Sequence, residues 1–208
     1  MDPKTVHQQA RIAHWDSYAK GREKSADWSS YYHRRLAEIY QTLVAPGQRV
    51  LEIGSGLGNL LAAMKPSHGV GIDFSPEMVR IARSRYPHLT FIQADAHELN
   101  LDEKFDIVIL SDLVNDIWDV QALFTQLRRV CTPRTRILLN FYSHLWQGPL
   151  RLAKRLGLAR PTLDQNWLTR EDITNFLYLA DFEVLRMSSE ILWPLDTPIL
   201  RSLGNRFL

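Results

Sequence analysis

Residues 50–59 read Val-Leu-Glu-Ile-Gly-Ser-Gly-Leu-Gly-Asn, a short apolar run with one acid followed by three glycines at alternate positions. Glycine lacks a Cβ and reaches positive φ at low cost, so this pattern predicts a tight turn between a buried strand and a helix. A dinucleotide-binding loop has the spacing G-x-G-x-x-G. Here Gly54 and Gly56 fit that spacing, but Asn59 stands at the third position. The third glycine, Gly58, comes one residue early, which argues against a dinucleotide loop.

Two further strands are predicted after this loop, and an acidic residue stands at the end of each. Residues 69–73 read Gly-Val-Gly-Ile-Asp, and residues 90–95 read Thr-Phe-Ile-Gln-Ala-Asp. Nucleotide-binding α/β folds place a carboxylate after the second strand, where it accepts hydrogen bonds from ribose hydroxyls. Ser75 is predicted to be the N-cap of the next helix. Asp73 is therefore left for the ribose, with its neighbour Phe74 beside the ligand.

The E-x-G-x-G-x-G pattern, which begins at Glu52, resembles motif I of the class I S-adenosylmethionine-dependent methyltransferases, and the resemblance extends over about residues 45–140. A carboxylate at Glu52 also favours a cationic ligand over a pyrophosphate. The resemblance implies that Asp95 accepts a hydrogen bond from the adenine amine and that the backbone N–H of Ala96 donates to a ring nitrogen. The predicted cofactor-binding set from the core is Glu52, Gly54, Ser55, Gly56, Gly58, Asp73, Phe74, Asp95, Ala96 and Ser111.

The chain is predicted to be one doubly wound α/β domain, a Rossmann-like fold with a mostly parallel sheet and helices on both faces, because its strands are almost continuously apolar. Predicted strands are 49–53, 69–73, 90–94, 105–111, 135–140 and 182–188. Predicted helices are 30–44, 58–64, 76–86, 120–131 and 169–180. Class I methyltransferases close the sheet with an antiparallel seventh strand. Two alternatives stay open here: residues 191–193 form a shortened version of it, or this chain stops before the natural end of the domain.

The predicted domain, residues 1–208, divides into four parts: a helical lid (1–44), a cofactor-binding core (45–140), a substrate-side insertion (141–168), and a C-terminal helix, strand and tail (169–208). The segment around Tyr18 resembles the lid helix of class I methyltransferases, whose aromatic side chain reaches the cofactor. Tyr18 is accordingly the lid's candidate cofactor contact.

Composition narrows the classes of partner. The 208 residues carry a formal net charge of +2, so no nucleic-acid partner is expected. A single cysteine, Cys131, provides neither a disulfide nor a cysteine metal cage, and it fits the reducing cytoplasm. No metal site is expected, and the polar N-terminus does not have the pattern of a signal peptide. The oligomeric state cannot be read from the sequence.

Methyl transfer from S-adenosylmethionine is an in-line displacement that leaves S-adenosylhomocysteine, so the protein has to hold and align the acceptor. His144, Asp112 and Asp116 are candidate catalytic residues because they follow the fifth and fourth predicted strands. The fourth strand lacks the Asn/Asp-Pro-Pro-aromatic motif of nucleic-acid amine methylases. A small-molecule, saccharide or lipid-linked acceptor is therefore favoured, with oxygen as the acceptor atom. The later sequence resembles bacterial methyltransferase modules associated with glycosyltransferases.

Residues 149–161 contain four basic side chains, several leucines and no acid, which predicts a basic amphipathic helix over about residues 151–160. Such a face contacts solvent, an anionic substrate or an anionic membrane surface. Two other functions remain open. One alternative to a methyltransferase is a non-catalytic cofactor-binding module that serves a partner enzyme. The other is an NAD-dependent oxidoreductase, although the early third glycine and Glu52 argue against it.

Overall fold

The computed structural model describes residues 2–22, 31–142, 144, 147–155, 163 and 165–189. The strands are β1 (Arg49–Ile53), β2 (His68–Asp73), β3 (Thr90–Gln93), β4 (Ile107–Ser111) and β5 (Arg136–Asn140). The helices are α1 (Pro3–Arg22), α2 (Tyr31–Leu43), α3 (Asn59–Ala63), α4 (Pro76–Arg85), α5 (Val120–Leu127), α6 (Gln147–Arg155) and α7 (Arg170–Leu179).

The five strands form one parallel sheet in the order β3-β2-β1-β4-β5. The chain moves outward from β1 to β3, returns to pair β4 with the other side of β1, and then adds β5. The direction of winding therefore reverses between β1 and β4, and ligands of such sheets bind outside the carboxyl ends of the strands at this reversal. This topology confirms the predicted doubly wound, Rossmann-like fold.

Hydrophobic side chains cover both faces of the sheet, because successive residues of a strand point to opposite sides. Leu51 and Ile53 join the cluster formed with α5 and α7. Val50, together with Ile107 and Ile109 of β4, joins a second cluster formed with α2, α3 and α4. Burial on both faces explains why the middle residues of these strands are mostly apolar, with Glu52 as a buried exception in β1.

Helix caps form where the sequence predicts them. The Ser75 hydroxyl accepts a hydrogen bond from the backbone N–H of Met78, and Pro76 occupies the first turn of α4. At α7, the Thr169 hydroxyl accepts from the N–H of Asp172, whose carboxylate accepts in return from the N–H of Thr169. Aspartate thus completes a capping box that glutamate or glutamine usually completes.

The predicted sixth strand, 182–188, is wrong: this segment has no regular secondary structure. Phe182 and Val184 pack against the core, whereas Leu185 is 79% exposed. Alternating burial of this kind resembles a strand, but none of the described residues pairs with the segment through a strand ladder. The seventh-strand candidate, 191–193, lies outside the described residues.

Candidate active site

Because all five strands are parallel, their carboxyl ends meet at one edge of the sheet, which we call the carboxyl edge. The glycine loop after β1 adopts left-handed backbone at three positions: φ is 75° at Gly54, 50° at Gly56 and 79° at Gly58. A Cβ at Gly56 would meet nothing within 4 Å, whereas one at Gly58 would lie 2.5 Å from the Phe91 ring. Gly58 is thus required for packing, and Gly56 leaves open space in which a ligand can approach the backbone closely.

Two predicted residues of this loop point inward. Glu52 is 2% exposed, and its Oε2 accepts the backbone N–H of Leu61 at 2.9 Å. Burial, with a smaller contribution from the charge of Asp73, raises the pKa of Glu52 to about 8. The Ser55 hydroxyl is buried without a hydrogen-bond partner among the described residues and lies against Gly71. Of these two side chains, Glu52 braces the start of α3, and Ser55 faces the sheet.

Asp73 fixes the turn after β2. Its two carboxylate oxygens accept the backbone N–H groups of Gly56 and Ser75 at 2.8 and 2.9 Å. Burial raises its pKa to about 6, against the effect of these hydrogen bonds. Each oxygen keeps a further lone pair, so Asp73 can accept from a ligand hydroxyl while it holds the glycine loop. Phe74, the next residue, is partly exposed.

Asp95 follows β3 and is held from two sides. Its Oδ1 contacts Nδ1 of His97 at 2.6 Å, and its Oδ2 accepts the Gln8 side-chain amide at 3.0 Å. Nε2 of His97 accepts the N–H of Asp119, which places the imidazole proton on Nδ1. This hydrogen bond from His97 is the main cause of the lowered pKa of Asp95. The neighbouring Ala96 is partly exposed.

Helix α1 covers the carboxyl edge, as the resemblance implies for a lid. Arg11 is 7% exposed and contacts the Asp116 carboxylate at 3.0 Å. The indole N–H of Trp15 donates to the other oxygen of the same carboxylate at 2.8 Å. Asp16 accepts the Ser75 hydroxyl, and Tyr18 packs in the hydrophobic cluster between α1 and α4. Together with Gln8, these side chains connect α1 to the loops after β2, β3 and β4.

A second polar cluster surrounds Asp112, directly after Ser111 at the end of β4. Its φ is 56°, a left-handed conformation that aspartate tolerates better than most residues. Oδ1 accepts the Tyr32 hydroxyl at 2.6 Å and the Asn140 amide at 2.5 Å. The Tyr40 hydroxyl donates to the side-chain amide oxygen of Asn140, and the Tyr142 ring stacks on the Tyr32 ring. Among the described residues, no hydrogen bond reaches Oδ2 of Asp112, although burial raises its pKa to about 6.

The other two catalytic candidates are not joined to this cluster. One oxygen of Asp116 contacts Arg11 and the other accepts from Trp15, so this carboxylate anchors α1. His144 is exposed and lies near the start of α7, where hydrogen bonds from Thr169 are the main cause of the lowered pKa of Asp172. Of the predicted catalytic set, Asp112 is the residue that has a side-chain oxygen, Oδ2, with no hydrogen-bond partner among the described residues and that lies in the tyrosine cluster.

Asn115, buried to 1% exposure, holds the two ends of the substrate-side insertion together. Its amide oxygen accepts the N–H of Tyr142, and its amide nitrogen donates to the carbonyl of Asn166 at 2.8 Å. Its backbone carbonyl accepts the N–H of Asn166. The residue therefore braces the insertion from inside.

Sequence reasoning missed Tyr32, Asn140 and Gln8 as functional candidates. Tyr32 lies at the start of α2, and Asn140 is the last residue of β5. Their places at the ends of predicted elements were the only indication in the sequence that they could reach the carboxyl edge. No group of three His, Cys, Asp or Glu side chains that could hold a metal ion occurs in the described part of the chain. Within the same residues, no helix is long and apolar enough to cross a membrane.

Comparison with known proteins agrees with this geometry. The methyltransferase domain family matches residues 50–134. The demethylmenaquinone methyltransferase of Renibacterium salmoninarum is 30% identical over 144 residues, which cover 65% of this chain and 59% of the relative. A phosphatidylethanolamine N-methyltransferase of Cereibacter sphaeroides is 35% identical over 126 residues, or 56% of this chain and 61% of the relative. The chain thus spans about three fifths of the length of these relatives.

A similar solved structure is that of magnesium protoporphyrin IX methyltransferase from Synechocystis with SAH bound. Its TM-score is 0.66 at 19% identity, with 88% of this chain and 94% of that chain covered. The sheet and the glycine loop have the Rossmann-like fold of the class I methyltransferases, and residues 50–134 match the methyltransferase domain family.

Proposed function

We propose that this protein transfers the methyl group of S-adenosylmethionine to a small-molecule acceptor that is held at Asp112. One observation carries the proposal: the open glycine loop, Asp73 and Asp95 share the carboxyl edge with an aspartate whose Oδ2 has no described partner. Asp112 lies beyond β4, next to β1 at the reversal of the sheet, where this topology places ligands.

In this proposal the carboxyl edge binds the cofactor in three places. Asp73 accepts from the ribose, and Asp95 and the N–H of Ala96 recognise the adenine. The open space at Gly56 admits the cofactor's remaining portion against bare backbone. Phe74 and Ser111 are partly exposed at this edge, and Tyr18 of α1 covers it. The buried Glu52 braces the loop from beneath through the N–H of Leu61, without a direct contact with the cofactor.

The cofactor supplies an already electrophilic methyl carbon, so the chain's own residues mainly align the acceptor and accept its proton. Oδ2 of Asp112 is positioned to accept that proton, while Tyr32 and Asn140 hold Oδ1 and fix the carboxylate plane. An oxygen acceptor, such as a hydroxyl of a saccharide or a quinol, fulfils this geometry, as does a nitrogen that carries a proton. Two relatives are named for demethylmenaquinone and phosphatidylethanolamine, which supports a lipid-linked acceptor.

Exposed residues of α6 support a contact with an anionic acceptor or membrane surface. Arg151, Leu152 and Arg155 are all exposed, and no acid occurs in this helix. Arg160 and the rest of the basic stretch beyond residue 155 lie outside the described residues. Cosedimentation with phosphatidylglycerol vesicles, but not with phosphatidylcholine vesicles, is the expected result. Equal recovery with both would rule out an electrostatic contact.

Calorimetric titration with S-adenosylhomocysteine, with NAD as the comparison ligand, tests the cofactor assignment. We expect micromolar binding of the first and none of the second. Asp95→Ala should weaken binding about tenfold or more, because a hydrogen bond to a charged group contributes about 1.5–3 kcal/mol. The exposed Asp102→Ala is the matched control and should bind as the wild type does.

Turnover decides between an enzyme and a non-catalytic module, since both would bind the cofactor. Incubation with S-adenosylmethionine labelled on the methyl group, followed by extraction of lipids and small molecules, should give a labelled product that requires Asp112. Tight cofactor binding without any labelled product in the presence of cell extract would favour the module.

A further inference from the structure

Asp112 differs from the other acids at the carboxyl edge in what surrounds its charge. Asp116 lies against the Arg11 guanidinium, and both oxygens of Asp73 accept backbone N–H groups. The described donors to Asp112 are a tyrosine hydroxyl and an asparagine amide, which are neutral, and both reach the same oxygen. No described lysine, arginine or histidine forms an ion pair with it. Among the described residues, therefore, no positive side chain compensates the charge of Asp112, and no donor reaches its Oδ2.

Aromatic rings line the same region. The rings of Tyr32 and Tyr142 stack with centroids 6.0 Å apart and planes inclined by 25°. The pKa values of three tyrosine hydroxyls are raised, mainly by burial and secondly by the negative charge of Asp112: those of Tyr32, Tyr40 and Tyr142. Three tyrosines therefore share the negative potential of one carboxylate. Ring faces beside a carboxylate attract a desolvated cation, through the ring quadrupole and through the carboxylate itself.

We propose that the acceptor held at Asp112 is a cationic amine, which the protein methylates on nitrogen. This inference rests on the proposed function and specifies its acceptor class. Asp112 is partly exposed, so a bound hydroxyl acceptor would exclude water from the carboxylate without supplying a counter-ion, which is costly. An ammonium group supplies that counter-ion, donates a hydrogen bond to Oδ2, and lies against the rings of Tyr32 and Tyr142.

The transfer balances with the groups present. The bound ammonium gives one proton to Oδ2 of Asp112, and the nitrogen regains its lone pair. The lone pair forms the N–C bond as the C–S bond breaks, and the bonding electrons remain on sulfur as a neutral thioether. The product is a methylated ammonium, and the proton on Asp112 passes to water when the product leaves.

Two probes of similar shape test the inference: 2-phenylethylammonium, which carries a positive charge, and 2-phenylethanol, which is neutral. Their binding to the full chain saturated with S-adenosylhomocysteine is measured by calorimetry and ligand-observed NMR at pH 7.5. We expect the ammonium compound to bind at least tenfold more tightly than the alcohol. Asp112→Asn removes the charge and keeps the shape, so the preference should fall to about onefold. The exposed Asp102→Asn is the control and should keep it.

Equal or tighter binding of the alcohol would overturn the inference, as would failure of both probes to bind at 10 mM. Persistence of the preference in Asp112→Asn would also overturn it. The wild-type comparison stands even when the variant is unstable. Saturation with S-adenosylhomocysteine separates the two levels of the argument: no saturation means that the proposed function has failed, whereas saturation without an ammonium preference means that only the amine assignment is wrong.

Discussion

Glu52 gives a prediction that can be worked from the structure. Its side chain is 2% exposed, and burial raises its pKa from 4.5 to about 8. The unfolded chain therefore ionises at a lower pH than the native protein. The native state therefore binds this proton more tightly than the unfolded chain does, and the difference stabilises the fold. The stabilisation is complete below the pKa of the unfolded chain and is lost as the pH rises through the pKa of the native state.

The loss amounts to about 1.4 kcal/mol for each pH unit between the two pKa values. From pH 5 to pH 8 the free energy of unfolding should thus fall by about 3 kcal/mol because of Glu52. The pKa of Asp73 and that of Asp112 are raised only to about 6, so their contributions are nearly exhausted by pH 7. Between pH 7 and pH 8 the slope belongs mainly to Glu52.

Glu52→Gln should remove this slope. Glutamine keeps a carbonyl that can accept the N–H of Leu61, and it carries no titrating proton. Urea unfolding followed by circular dichroism at pH 5, 6, 7 and 8 measures the difference, and the variant should be more stable than the wild type at pH 8. The exposed Glu98→Gln is the control and should follow the wild-type profile. Parallel profiles for the wild type and Glu52→Gln would refute the reasoning.

Three further outcomes are expected. Gly58→Ala should destabilise the protein by about 2–3 kcal/mol in urea unfolding, because the new Cβ would lie 2.5 Å from an atom of the Phe91 ring. Gly47→Ala is the control: Gly47 also has a left-handed φ but has open space around it, so this change should cost about 1 kcal/mol. Asn115→Ala should lower stability by about 3 kcal/mol and expose the insertion to limited proteolysis, unlike the exposed Asn175→Ala; an unchanged cleavage pattern would contradict its bracing role. His144→Ala should leave methyl transfer within about twofold of wild type, since this exposed residue is not joined to the Asp112 cluster, and a large loss of turnover would contradict that placement.

Local patterns predicted most of the fold. The five strands lie within two residues of their predicted bounds, because near-continuous apolar runs between turn signals are typical of buried parallel strands. The glycine loop and the Ser75 cap likewise depend on neighbours within a few residues. The prediction of a strand over residues 182–188 was wrong because alternating apolar and polar residues do not show whether a partner strand lies alongside.

The site was less predictable because its contacts are long-range. Tyr32 and Asn140 meet Asp112 across separations of 80 and 28 residues, and no short motif encodes such meetings. The direction of a side chain after a strand is also invisible in the sequence. Asp112 and Asp116 both follow β4, yet one faces the tyrosine cluster and the other anchors α1. His144 follows β5 and lies on the surface.

The position of α1 in the chain has a consequence for biosynthesis. Gln8 and Arg11 contact residues that lie 87 and 105 positions later. Chains emerge from the ribosome N-terminus first, so the helix is made early and can meet α4 first, but it lacks its last docking partner, Asp116, until β4 and the following loop have been translated. We therefore expect the cover over the carboxyl edge to close late in synthesis. A nascent chain that stalls before residue 116 would expose the edge together with the buried face of α1, and would be a substrate for chaperones.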